Sequence, residues 1–167
     1  LQTSGPTAAV AITAIATDSA VGGTNNDFIT NDTSLTVSGT NGALGAGEKV
    51  QVSSDGGNTW VDVTQGGGTW SYLDPAPHTA SFTYQVRVVD TAGNVGNTAS
   101  QAVTIDTAAP TAVATVTALS SDTGTAGDFV TSVASQTVSG TFTNALGAGE
   151  KIQVSVDGTT WVDATPS

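Results

Sequence analysis

The residues of this sequence most able to do chemistry are aspartates that flank a loop and then recur later in the chain. Asp18 and Asp27 border a stretch rich in glycine and asparagine, and Asp122 and Asp128 occupy matching positions in a second copy. Two carboxylates about 5 Å apart repel by about 3 kcal/mol at an effective dielectric constant of 20, and a bound cation reverses that sign. Carboxylates completed by backbone carbonyls suit calcium. We therefore predict calcium at both pairs.

Two further aspartates belong to the predicted calcium sites. In a β-sandwich the loop after the first strand lies at the same pole as the end of the last strand, so we expect Asp106 beside Asp18 and Asp27. Asp90 opens the turn DTAGN at the opposite pole, where it could meet the linker of a preceding module. The chain has no EF-hand spacing, so only clustering supports calcium. The alternative is that each acid caps the amides of its own turn.

The segment SSDGGNTW around Asp55 matches the Asp-box of sialidases, which raises the alternative of a glycosidase. Sialidases bind their substrate's carboxylate with several arginines, whereas this chain has only Arg87. A second copy around Asp157 is one residue shorter, which a turn tolerates better than a catalytic site does. We predict a hairpin turn in which Asp55 caps amides, the glycines adopt positive φ and Trp60 packs underneath.

No residue set in the sequence predicts catalysis. His78 is the only histidine and there is no cysteine, so a catalytic triad, a thiolate nucleophile and a zinc site are all disfavoured. His78 lies close to Pro75 and Pro77, and we expect it to be a solvated loop residue. The sequence therefore predicts no catalytic residues and no enzyme.

The charge balance excludes several partners. Charged residues make up 10% of the chain, with 14 acidic against 3 basic side chains and a net charge of -11. Three cations cannot form the basic patch that nucleic acid or an anionic membrane surface requires. No apolar run approaches the roughly 18 residues of a membrane span, so we expect no membrane insertion. Without cysteine there are no disulfides, and bound metal is the usual substitute in a small secreted domain.

Internal repetition defines the predicted domains. PTAAVAITAIATDSA from Pro6 recurs as PTAVATVTALSSDTG from Pro110, and LGAGEKVQV from Leu44 recurs as LGAGEKIQV from Leu146. Because the N-terminus has no charged and then apolar signal peptide, we expect the chain to be an internal part of something longer. We predict a linker at 1–5, a complete module at 6–106, a linker at 107–110 and an incomplete second module at 111–167.

The complete module has the strand count of an immunoglobulin-like sandwich. Runs rich in β-branched and aromatic residues alternate with turn sequences such as GGTNND, DGGN and DTAGN. No stretch has a sustained helical period. We predict an all-β fold of tandem immunoglobulin-like sandwiches with about seven strands per module. The predicted strands of the first module are residues 9–16, 34–40, 49–54, 59–63, 69–73, 81–90 and 98–105.

The DTAGN turn, the IDTAAP linker, the DF(I/V)T segment and the SDGGNTW hairpin together resemble the bacterial Ig-like repeats of giant surface adhesins of the biofilm-associated and RTX type. The resemblance implies an extracellular location at the bacterial surface, neighbouring Ig-like modules as partners and a role as an extender stiffened by calcium at module junctions. The alternatives are a module of the same fold that binds a glycan or protein and, more weakly, an accessory domain of a secreted glycosidase. Exposed aromatic surface would favour binding.

The second module lacks counterparts of the last three predicted strands. Unless the first module covers it or the parent chain continues, we expect it to leave an apolar face and strand edges uncovered, which promotes pairing with another chain. Self-association through this module is therefore a predicted interaction, and limited proteolysis is expected to trim it back towards the linker.

Overall fold

The computed structural model describes residues 4–19 and 26–165, which form strands, turns and loops and no helix. The chain divides into two compact units, Leu1–Thr107 and Ala108–Ser167. Each unit is described by itself below. The predicted all-β class is confirmed.

Unit 1 is a sandwich of two sheets. One sheet has the strand order β1-β3-β7-β6 and the other has the order β2-β9-β8-β4-β5. All neighbouring pairs are antiparallel except β2 and β9, which are parallel. This arrangement is an immunoglobulin-like sandwich. The strands are β1 (Val10–Ala16), β2 (Ile29–Thr30), β3 (Thr36–Asn41), β4 (Lys49–Ser53), β5 (Val61–Asp62), β6 (Thr64–Gly66), β7 (Thr69–Leu73), β8 (Phe82–Val89) and β9 (Val95–Ile105).

Alternating apolar residues of the two sheets fill the core of unit 1. On β8, Tyr84, Val86 and Val88 are completely buried, and they face Val37 of β3, which is also completely buried. Successive side chains of a strand point to opposite faces, so this alternation fixes which face of β8 turns inward. Full burial of each valine stabilises the fold by about 1.5–3 kcal/mol relative to an exposed position.

The buried side chain of Trp70 on β7 lies across β3 and β1 of its own sheet and needs a glycine beside it. Its indole N–H donates to the carbonyl oxygens of Ala11 at 3.1 Å and Thr40 at 3.2 Å. A Cβ placed on Gly39 would overlap the carbonyl oxygen of Ala11 and would lie 2.6 Å from the Trp70 ring. The missing side chain at Gly39 therefore makes room for the largest side chain of the core.

Two short strands of unit 1 were not predicted. The predicted run 59–63 supplies only β5, after which the chain crosses to the opposite sheet and forms β6. β2 pairs through Ile29 with Thr104 and through Thr30 with Ile105. Strands of two or three residues contain too little alternation to be seen in sequence, and pairing in the folded sheet defines them.

The described residues of unit 2, 108–165, contain four strands that repeat the first hairpins of unit 1. β10 pairs with β11, and β12 pairs with β13. The β10–β11 pair has a register shift between Val116 and Ala118, as the β1–β3 pair has between Ile12 and Ala14. Many of its large apolar residues are exposed, among them Val116, Phe142 and Trp161. The strands are β10 (Val113–Leu119), β11 (Val138–Thr143), β12 (Gln153–Val154) and β13 (Val162–Asp163).

Candidate functional site

The loop between β1 and β2, called the Asp18 loop, is tied together by the buried hydroxyl of Thr30. This hydroxyl donates to the carbonyl oxygen of Thr17 at 2.6 Å and accepts the N–H of Asp32 at 3.0 Å. Ser19 donates its hydroxyl to that of Thr30 at 3.3 Å and accepts the N–H of Asn31 at 2.8 Å. The two ends of the loop are thereby fixed against each other.

The equivalent loop between β10 and β11, called the Asp122 loop, is built in the same way. Thr131 donates its hydroxyl to the carbonyl oxygen of Ser121 at 2.6 Å and accepts the N–H of Val133 at 3.1 Å. Phe28 and Phe129, at matching positions, both have φ of 59°, which is uncommon for a bulky residue. The two loops therefore share one backbone framework.

Within this framework the structure brings Asp18 and Asp27 together. Asp18 Oδ2 accepts the N–H of Phe28 at 3.2 Å, and Asp27 Oδ1 accepts the N–H of Ile29 at 3.0 Å. Asp18 Oδ1 is buried and has no hydrogen-bond partner within the described protein. Burial first, and then the neighbouring Asp27 carboxyl, raise the pKa of Asp18 above its usual value. The ionised pair is therefore unfavourable unless it is neutralised.

The Asp122 loop repeats the buried carboxylate oxygen without a described partner that the Asp18 loop contains. Asp122 Oδ2 accepts the N–H of Gly127 at 2.7 Å, whereas its Oδ1 is buried and lacks a partner in the described part of the protein. Asp128 Oδ1 accepts the N–H of Val130 at 2.9 Å, as Asp27 does with Ile29. The same carboxylate oxygen is thus left unsatisfied in both copies.

The two remaining predicted ligands have different surroundings. Asp106 joins the end of β9 to β2, since its N–H donates to the carbonyl oxygen of Thr30 at 2.9 Å. Asp90 caps its own turn: Oδ1 accepts the N–H groups of Ala92 and Asn94, each at 2.8 Å. The Asn94 side chain, followed by these amides, lowers the pKa of Asp90. Asp90 thus has the turn-capping contacts of the alternative interpretation.

Across residues 4–19 and 26–165 no group of three or more His, Cys, Asp or Glu side chains could hold a metal. The carbonyl groups predicted as further ligands lie in residues 20–25, outside the described residues. Asp18, Asp27 and Asp106 lie within the described ranges and do not form such a group, so completion of the pair by Asp106 stays a prediction.

One residue that stabilises the Asp122 loop was missed in the sequence. Leu35, completely buried in unit 1, is replaced by Gln136 in unit 2. The Gln136 amide nitrogen donates to the oxygens of Ser121 at 3.2 Å, Thr131 at 3.0 Å and Val133 at 2.9 Å. The change from an apolar to an amide side chain at a matching position was the available signal.

The Asp55 turn has the predicted construction. Asp55 Oδ1 accepts the N–H groups of Asn58 at 3.0 Å and Thr59 at 2.9 Å, and Oδ2 accepts the Thr59 hydroxyl at 2.6 Å. These bonds, led by the Thr59 hydroxyl, lower the pKa of Asp55 to about 2. Gly57 has φ of 87°, and the Trp60 indole donates to its carbonyl oxygen at 3.0 Å. Asp55 is engaged in holding a turn.

The expectation that His78 is solvated is wrong. Its side chain is only 14% exposed, and Nε2 lies 2.8 Å from Oδ2 of Asp74, whose side chain is 1% exposed. Its ring stacks on Phe82 with centroids 3.6 Å apart. The Tyr84 hydroxyl donates to the same Asp74 oxygen at 2.9 Å. The buried Asp74 carboxylate attracts the His78 ring, and this contact holds His78 in a position largely shielded from solvent.

Most large aromatic side chains of unit 1 pack against other residues of the unit. Trp70 and Tyr84 are buried in the core. Trp60 is half-buried, and the guanidinium carbon of Arg87 lies 3.9 Å from the centroid of its ring. These residues therefore do not provide the exposed aromatic surface that is expected of a binding module.

The match to known proteins agrees with this architecture. Residues 7–107 match the family model described as a bacterial Ig-like domain. A search of curated proteins finds no match to the chain. Among the described residues there is no helix of the length and apolar character needed to cross a membrane. Domains of this kind are typically non-enzymatic. The family model matches more than half of the residues of this chain, and the chain therefore belongs to the bacterial Ig-like domain family.

Proposed function

We propose that this chain is an extender segment of a large bacterial adhesin, secreted or displayed at the cell surface, and that it has no catalytic activity. The observation that carries the proposal is the repetition of one construction in both units, including the β1–β3 register shift and the loop framework around Thr30 and Thr131. A spacer gains length from repeating a stable unit. Its partners are then neighbouring Ig-like modules of the same chain.

The course of β9 supports a load-bearing role. Near its start, the Asn97 side-chain amide donates to the carbonyl oxygens of Thr7 at 2.9 Å and Ala8 at 3.0 Å. At its end, the N–H of Thr104 donates to the carbonyl oxygen of Phe28 at 2.9 Å in the parallel β2–β9 pair. Because β2 follows β1 in the chain, tension on the two ends of unit 1 reaches the parallel strands β2 and β9 once β1 has separated from β3, and it then pulls them past each other. Their hydrogen bonds are then loaded together instead of one after another.

Single-molecule stretching of the full chain tests this role. We expect unit 1 to unfold in one cooperative event that releases about 30 nm, since an extended residue spans about 3.5 Å. Thr104→Pro removes the N–H that binds Phe28, so it is expected to lower the peak force. Thr104→Ala keeps that N–H and is the matched control. Gradual extension without a force peak would contradict the proposal, as would equal forces for the two variants.

We further propose that calcium binds at the Asp18 and Asp27 pair with Asp106, and at the Asp122 and Asp128 pair. The support is the buried, unpartnered Oδ1 of Asp18, repeated at Asp122, together with the raised pKa of Asp18. A hard divalent cation would satisfy that oxygen and remove the carboxylate repulsion. Asp90, committed to its own turn, would contribute only by joining a neighbouring module's linker.

Thermal unfolding with calcium and with EGTA tests the metal proposal. For dissociation constants of about 10⁻⁴–10⁻³ M, ten millimolar calcium is expected to stabilise unit 1 by about 1–3 kcal/mol. Asp18→Asn is expected to abolish that gain, yet to be tolerated in EGTA because it removes a carboxylate whose ionised form is disfavoured. Asp62→Asn, at a carboxylate paired with Lys49, is the control that keeps the calcium response. A melting temperature unaffected by calcium would refute the proposal.

A further inference from the structure

The sheet formed by β1, β3, β7 and β6 carries a row of hydroxyl groups on its outer face. Ser38 of β3 lies opposite Ser71 of β7 in register, and Ser71 lies opposite Thr64 of β6. Successive side chains of a strand alternate between its two faces, so this row points away from buried Val37 and Trp70. Neighbouring strands lie about 4.8 Å apart, and a ligand with several hydroxyl groups can therefore contact three strands at once.

A groove, called the hydroxyl groove, runs over this face. It has two parts, with volumes of about 480 Å³ and about 420 Å³, which adjoin at Gln65 and Gly66. Each volume is within the range of ligand sites in proteins, about 300–1,000 Å³. A Cβ placed on Gly66 or Gly67 would meet nothing within 4 Å, so a ligand has room to approach the backbone here. The hydroxyl side chains that line the first part are Thr13, Ser38, Thr40, Thr64, Thr69 and Ser71.

Most of these six hydroxyl groups are available to a ligand. Within the described part of the protein, only those of Thr13 and Thr69 donate a hydrogen bond, in each case to a carbonyl oxygen. The other four have no hydrogen-bond partner among the described residues, and their side chains are partly or fully exposed. A hydroxyl group can donate one hydrogen bond and accept two, which is the same capacity that the hydroxyl groups of a sugar have.

Asn41 lines the second part of the groove. Its Nδ2 donates to the carbonyl oxygen of Gly42 at 2.9 Å, whereas its Oδ1 is buried and has no partner within the described protein. Rotation of this amide towards the groove would let a ligand hydroxyl donate to Oδ1 and satisfy it. Among the described residues no charged side chain lines either part of the groove. The lining therefore suits a neutral ligand that is rich in hydroxyl groups.

We propose that the hydroxyl groove binds a neutral oligosaccharide. Ser38, Thr64 and Ser71 exchange hydrogen bonds with one sugar unit, and Asn41 binds the next unit in the second part of the groove. An acidic glycan is disfavoured, because the lining has no cation and the chain has a net charge of -11. Trp70, the aromatic residue of the lining, is buried, so hydrogen bonds supply most of the affinity. The site lies within unit 1, and this inference depends neither on the extender role nor on calcium.

Titration of the full chain with maltotriose, cellotriose and chitotriose, followed by backbone amide NMR, tests the proposal. We expect at least one of these neutral trisaccharides to bind saturably with a Kd of about 1 mM, with shifts at Ser38, Thr64 and Ser71 and none in β4. Trigalacturonate, which is acidic, is expected to bind at least about ten-fold more weakly. Absence of saturation with all three neutral trisaccharides would overturn the proposal, as would equal binding of trigalacturonate.

Variants of the chain separate binding in the groove from general attraction of sugars. Ser71→Ala removes the central hydroxyl and is expected to weaken binding about five-fold. Ser100→Ala, at an exposed position on β9 of the other sheet, is the matched control and keeps full affinity. Gly66→Leu places a side chain in the groove, so it is expected to abolish binding at an unchanged melting temperature.

Unchanged affinity in both Ser71→Ala and Gly66→Leu would show that the sugar binds elsewhere and would refute the assignment of the groove. The same shifts on concentrating the chain without sugar would also refute it, because a second copy would then be the occupant.

Discussion

Removal of one hydroxyl group, in Tyr84→Phe, probes the buried carboxylate of Asp74. The Tyr84 hydroxyl donates to Asp74 Oδ2 at 2.9 Å, and both side chains are buried. A hydrogen bond to a charged group contributes about 1.5–3 kcal/mol. His78 and the N–H of Ala76 still bind the carboxylate in the variant. We therefore expect the free energy of unfolding to fall by an amount near the lower end of this range, about 1.5–2 kcal/mol at neutral pH. The packing of the ring is expected to stay unchanged.

The loss is expected to depend on pH in a defined direction. Burial opposes ionisation of Asp74, but hydrogen bonds from His78, Ala76 and Tyr84 outweigh it and lower the pKa below its ordinary value. A depressed carboxylate pKa stabilises the fold above the unfolded value of about 3.9, and that stability is lost as pH falls through the folded value. Tyr84→Phe removes one of the hydrogen bonds that lower the pKa of Asp74. The difference in free energy of unfolding between the variant and the wild type should therefore shrink in acid.

Urea unfolding followed by near-ultraviolet circular dichroism of buried Trp70 measures this difference at pH 7 and pH 3. Tyr72→Phe is the matched control, because it deletes the same hydroxyl from a half-buried ring near Asp74. We expect the control to change the free energy of unfolding by less than about 0.5 kcal/mol. The reasoning fails if Tyr84→Phe costs no more than Tyr72→Phe, or if its cost is the same at both pH values.

Three other substitutions give sharp expectations. Gly39→Ala should destabilise unit 1 by at least about 3 kcal/mol, because the new Cβ meets Trp70, whereas Gly66→Ala has nothing within 4 Å and should be tolerated in the same urea assay. Leu35→Ala should cost about 2–5 kcal/mol through a core cavity, and a smaller loss would show that the site collapses. Asp55→Asn should flatten the fall in melting temperature between about pH 4 and pH 2, since the Asp55 pKa lies at about 2 and its stabilisation is lost as pH falls through that value. Neither the full chain nor this variant should hydrolyse a fluorogenic sialoside.

Local sequence was enough to predict the features that depend on short-range chemistry. The β-branched and aromatic run SFTYQVRVVD predicts a strand at 81–90, and the structure has β8 at Phe82–Val89. The Asp55 turn was equally predictable, because an aspartate followed by two glycines caps its own amides. The count of about seven such strands in one module of about 100 residues indicates an immunoglobulin-like fold, which the family match supports.

Tertiary structure decided the features that depend on residues far apart in the chain. His78 looked solvated beside prolines, yet a buried Asp74 attracts it, and burial of that carboxylate depends on how β7 and β8 pack. β2 exists only because β9 lies beside it. The buried, unpartnered oxygens of Asp18 and Asp122 arise in the same way, since folding sets how much solvent reaches a carboxylate, whereas sequence sets only that it is there.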